Sequence, residues 1–148
     1  MVLGLQAKTP VYDVNFRGMT LGEVRDLSTI KDLYLNAKVT SRVARFLLGE
    51  NRLVYYGGDK PNIGDAKFKK DKKMILYAFS QSLDAKPKFK RFTINENKNI
   101  TLACEKQECT FIYYRHGEVG GEGKISFDEQ GNFLRITEEM SNFEIVKQ

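Results

Sequence analysis

The chain has no Trp, one His, two Cys and three Pro in 148 residues. Each scarcity removes an option. With His116 as the only imidazole and no Gly-x-Ser-x-Gly elbow, a His-based nucleophile, base and orienter set would have to run through that one residue. The sequence therefore reads as a non-enzyme. Two Cys and a distant His do not make a four-ligand zinc set, and Cys-x-x-Cys is absent, so neither a metal nor a redox dithiol is expected. No cofactor is expected either. There is no run of about 18 apolar residues, hence no predicted membrane-spanning helix. Internal repeats and low-complexity linkers are also missing.

What is present suits one globular unit. A chain of 148 residues with 41% hydrophobic and 29% charged residues is long enough to bury a core without metals. It reads as a single domain over 1–148, with a mixed strand and helix part (1–50) and an antiparallel β meander (51–148).

The net charge of +5 is unevenly spread. Residues 59–91 carry ten Lys/Arg against four Asp, whereas the segment from Glu105 onward has five basic and nine acidic residues. The basic stretch is either a solvated rim or a surface for an acidic protein or anionic surface at Lys67, Lys69, Lys70, Lys72, Lys73, Lys88 and Lys90. Lys dominates it and only Arg91 offers a bidentate guanidinium, which disfavours nucleic acid.

Cys104 and Cys109 flank Glu105-Lys106-Gln107-Glu108 between two strand-like runs. Opposed across a four-residue hairpin loop, they are within reach of a disulfide; the alternative is two free thiols. Two Cys at hairpin spacing favour an oxidising compartment, periplasmic or secreted. Met1–Pro10 has no basic region followed by an apolar one, and a mature chain whose signal peptide has been removed reads the same way.

The N-terminal part alternates at Val11–Phe16, as a strand does. Thr20-Leu21-Gly22-Glu23 has capping-box spacing, with Leu21, Val24 and Leu27 lining a short helix. Leu33–Val39 reads as a strand. Thr40 or Ser41 caps a helix to about Gly49, with Val43, Phe46 and Leu47 on one face. Arg52–Tyr56 follows as a strand, and Met74–Phe79, the most apolar run, reads as a central strand. Further short strands are expected at Lys88–Ile94, Asn99–Cys104, Cys109–Arg115, Lys124–Phe127, Phe133–Thr137 and Phe143–Val146.

If Cys104 opposes Cys109, then Leu102 opposes Phe111, Ile100 opposes Tyr113 and Lys98 opposes Arg115, all on one face. Putting Phe92 and Ile94 on that face requires an odd-numbered loop around Asn95-Glu96-Asn97. A four-residue loop, Asp128–Gly131, would set Ile125 opposite Leu134 and Phe127 opposite Asn132. The fold class is mainly β (α+β): an antiparallel meander closing into a barrel or barrel-like sheet, with one or two short helices in the N-terminal third. Tyr77, Phe79, Phe92, Ile100, Leu102, Phe111 and Tyr113 face inward, where they either line a cavity for a small hydrophobic or amphipathic ligand or fill a solid core. The Gly-rich stretch from Arg115 to Gly123 reads as a flexible hairpin connection with a solvated His116, or else as a mobile loop able to gate a barrel mouth.

Length, meander, aromatic interior and a disulfide-permissive context together resemble the calycin group, which includes the lipocalins, over Arg52–Val146. The Gly-x-Trp signature is missing because Trp is missing, so no binding residue is carried over by motif. The resemblance implies transport or sequestration of a small apolar molecule outside the cytoplasm. The alternative is a protein-interaction module, an inhibitor or envelope-associated adaptor, working through the basic 59–91 surface.

Overall fold

The computed structural model describes residues 10–48, 52–56, 67–69, 73–84 and 86–148. Their strands are β1 (Tyr12–Phe16), β2 (Met19–Val24), β3 (Tyr34–Val39), β4 (Arg52–Tyr56), β5 (Lys67–Lys69), β6 (Lys90–Asn95), β7 (Lys98–Glu105), β8 (Glu108–Arg115), β9 (Glu118–Phe127), β10 (Phe133–Glu138) and β11 (Phe143–Lys147). The α-helices are α1 (Arg42–Leu48) and α2 (Lys73–Asp84), and Ser28–Asp32 forms a 3-10 helix. One sheet holds every strand, in the order β5-β4-β3-β2-β1-β11-β10-β9-β8-β7-β6. From β3 to β6 this is an unbroken antiparallel array of nine strands; β4 adds antiparallel to β3, and β5 adds parallel to β4.

The sheet is mainly β and largely a meander, as expected, but among the described residues it does not close into a barrel: β5 and β6 are its two ends. Its concave side is taken by α2, which contacts β4 near one end of the strand order and β7, β8 and β10 toward the other. A sheet that touches one helix from both wings must curl around it. The fold's long helix thus lies outside the N-terminal third, inside the segment expected to be pure meander.

That helix corrects the central strand expected at Met74–Phe79. Ile75, Ala78, Phe79 and Ser82 are buried at positions i, i+3, i+4 and i+7, the period of a helix stripe. A six-residue apolar run fits a buried strand equally well, and the buried Ser82 at the end of the stripe, its hydroxyl donating to the Phe79 carbonyl at 2.8 Å, decides for the helix. Phe79 packs on Phe133 of β10 with ring centroids 4.4 Å apart, and Phe133 in turn meets Tyr12 at 5.5 Å.

The helix expected around Leu21, Val24 and Leu27 is instead strand β2. Its pairing with β1 jumps from Val14↔Gly22 to Asn15↔Thr20, leaving Leu21 as the extra residue of a β-bulge. The bulge turns both Leu21 and Val24 inward, so their i, i+3 spacing imitates a helix face. Ser41 sits just ahead of α1, its carbonyl accepting from Arg45, yet Val43 and Phe46 are exposed rather than packed.

The hairpin register around the cysteines is as expected: Cys104↔Cys109, Leu102↔Phe111, Ile100↔Tyr113 and Lys98↔Arg115. The loop is shorter, because Glu105 and Glu108 also pair and Lys106–Gln107 form the turn, with Lys106 at φ 54°. Phe92 does oppose Ile100, but through a two-residue turn at Glu96–Asn97 plus a bulge between Thr93 and Asn95. The β9–β10 register differs from expectation: Phe127 pairs with Phe133 and Ile125 with Ile136. Asp128, whose carboxylate accepts from the Gln130 and Asn132 amides at 2.9 and 2.8 Å, draws Asn132 into the turn and so sets Phe127 opposite Phe133; a bulge between Phe133 and Arg135 then brings Ile136 opposite Ile125.

Candidate functional site

The seven residues expected to face inward all lie in or against the core. Phe79, Ile100, Leu102 and Phe111 are buried outright; Tyr77, Phe92 and Tyr113 are half-buried and packed on them. Tyr77 and Phe92 meet edge to face, with centroids 5.7 Å apart. The Gly-rich stretch is a hairpin connection that runs on into β9. His116 and Gly117 form a two-residue turn, with φ 53° and 79°, while Gly120, Gly121 and Gly123 lie within β9. The Cys104–Cys109 disulfide is formed and joins β7 to β8.

Of the lysines singled out, Lys70 and Lys72 lie outside the described residues. Lys67 and Lys69 belong to β5, and Lys73 opens α2. Lys88 and Lys90 are exposed, as is Arg91. They stand where the chain leaves the α2 side and enters β6, the end strand of the sheet. Among the described residues none of the three has a carboxylate in ion-pair range, whereas Arg25 and Arg135 elsewhere are matched to Glu23 and Glu144. Lys90 holds its ammonium 5.0 Å from the Phe92 ring centroid, and Lys86 stands 4.2 Å from that of Phe127. Phe89, between these cations, is 65% exposed.

The same end of the sheet carries an open cleft of about 980 Å³, lined among others by Lys88, Cys104, Glu105, Lys106, Glu108 and Phe127. It lies beside the β7–β8 turn, where Cys104 and Phe127 reach it from the edge of the core. Pro87 ties the two features together, because its carbonyl accepts from the Cys104 amide at 2.8 Å.

The sequence reading found the cations but missed that they flank a sheet end. The signal was the period-two pattern Lys90-Arg91-Phe92-Thr93-Ile94, with charge at the start of a strand, a common device of edge strands. Among the described residues, no group of three His, Cys, Asp or Glu is placed to hold a metal ion, and no helix is long and apolar enough to cross a membrane. An open antiparallel sheet curled on one helix, stapled across one hairpin and basic at one end, is the class this geometry defines. No family model, curated protein or solved structure matches the chain.

Proposed function

We propose that this chain is a protein-interaction module of an oxidising compartment, periplasmic or extracellular, that binds an acidic partner through the basic end of its sheet. The observation that carries the reading is the set of exposed cations at Lys88, Lys90 and Arg91 beside the end strand, with no carboxylate in ion-pair range among the described residues. Unneutralised charge of one sign steers association with the opposite sign and repels its own kind. The disulfide supports the compartment, since thiols are kept reduced in most cytosols. The seat of α2 against the sheet supports a surface role over that of a container.

The test is titration of the oxidised protein with fluorescent poly-glutamate and poly-lysine. Binding of poly-glutamate alone, weakening as salt rises from about 50 to about 500 mM, is expected. Equal binding of both polymers, or of neither, would overturn the reading.

The cleft of about 980 Å³ favours a second reading, in line with the calycin resemblance: an amphipathic small molecule seated beside the disulfide. Native mass spectrometry of freshly purified protein would then show a stoichiometric adduct that Phe127→Ala releases.

A further inference from the structure

We propose that β6 takes up an extended acidic peptide as an added antiparallel strand. The proposal rests on the interaction reading above and gives that surface its geometry.

The first argument is the direction of the backbone. In an antiparallel ladder, residues alternately turn their N–H and C=O toward one neighbour and then the other. The Cys104 amide donates toward the β6 side, to Pro87, so Cys104, Leu102 and Ile100 all turn that way. Their partners Lys90 and Phe92 therefore spend their backbone groups on β7. Arg91 and Thr93 turn theirs outward, where no described strand lies. Those two residues offer two donors and two acceptors in the spacing that an incoming strand reads.

The second argument is rigidity. Phe92 and Ile94 pack against the core, so β6 is held extended before a partner arrives. A preformed edge spares the complex part of the ordering cost that a floppy segment would carry.

The third is charge, which selects among occupants. A second copy offering the same edge would bring Lys90 and Arg91 against like charges. The cations that discourage self-pairing are also those that an acidic strand would neutralise. The exposed side chains of Arg91 and Thr93 lie on the convex face with Thr101 and Asn99, their cross-strand partners. A carboxylate opposite Arg91 would sit in the ordinary position of a cross-strand ion pair.

The experiment uses the oxidised full chain, isotope-labelled, and two synthetic peptides of about six residues, the length of an ordinary strand. One alternates Glu with Val and the other Lys with Val. The Glu peptide should bind, with the largest amide shifts at Arg91 and Thr93, and the Lys peptide should not. N-methylation of alternate peptide amides, in either phase, removes the strand-pairing donors without touching the protein. In the phase that faces β6 it should weaken binding roughly tenfold. Thr93→Pro deletes one outward N–H while leaving the β6–β7 ladder intact, and should do the same. If Thr93→Pro does not fold, the N-methyl pair decides alone. An acidic preference that neither methylation phase disturbs would overturn strand addition and leave the basic-surface reading standing. Failure of both the Glu peptide and poly-glutamate to bind would overturn both. Formation of an edge-to-edge dimer in place of peptide binding would also overturn the proposal.

Discussion

Phe111 and Gly123 are cross-strand partners, and the Phe111 ring fills the space where a side chain at 123 would begin. A Cβ at position 123 would stand 2.6 Å from the ring Cζ and closer still to the Thr137 carbonyl oxygen. Tyr113 treats Gly121 the same way, at 2.7 Å. The glycines of β9 are therefore seats for aromatic rings on the concave side.

Gly123→Ala is expected to destabilise the fold by about 2–3 kcal/mol, as overpacking does. At this chain length that is a melting-temperature drop on the order of 8 °C. Gly117, at φ 79° with nothing near its missing Cβ, should cost only about 1 kcal/mol on change to Ala. Thermal scans of the two variants side by side check the difference; a milder loss at 123 than at 117 would contradict the ring-seat account.

Phe79 anchors α2 to the sheet from a fully buried position. Phe79→Ala should lose about 3–5 kcal/mol, the usual range for a truncated core aromatic. Because α2 holds both wings of the sheet, the loss should reach amides on β7 and β10 alike. Hydrogen exchange would show this; protection lost at only one wing would mean the wings are held independently.

Much of the β part was legible because short-range rules agreed there. The Cys104–Cys109 register needed only alternation and one closed hairpin, and every pair between Lys98 and Arg115 follows from it. The errors fall where a local irregularity shifts the phase. The bulge at Leu21 imitates helix spacing, and Asp128 lengthens its turn by capturing Asn132. Glycines 120, 121 and 123 read as mobility because their purpose is held by rings on the neighbouring strand. Barrel closure failed for a long-range reason: nothing near Met74–Phe79 in sequence shows that the sheet's concave side is the only place to bury that stripe. The basic end was legible as composition, but its position at an edge depends on strand order, which a single sequence does not display.

The disulfide closes a loop of only a few residues, across a pair whose backbone groups point away from each other. Loop-closure entropy for so short a span is about 2 kcal/mol. Replacing both Cys104 and Cys109 with Ala should lower stability by about that amount without unravelling the sheet, since Ile100, Leu102 and Phe111 stay packed around the site. Denaturant midpoints of the variant and of the reduced wild type should agree. A much larger loss on reduction would give the bond a role beyond local stapling.

Asp128 gives the fold an acid-sensitive turn. The Asn132 amide foremost, then the Asn132 side chain, the Gln130 amide and the charge of Lys147, hold its carboxyl below the usual 3.8. A carboxylate more acidic in the folded chain than in the unfolded one stabilises the fold fully above the unfolded value, and that contribution fades as pH falls through the folded value. The window thus lies below about pH 4. Asp128→Asn should be less stable than wild type near neutral pH, and the two should converge as pH falls toward about 2. Denaturant midpoints measured across that range decide it. Parallel curves for the two proteins would mean that the turn's hydrogen bonds do not depend on the ionised carboxylate.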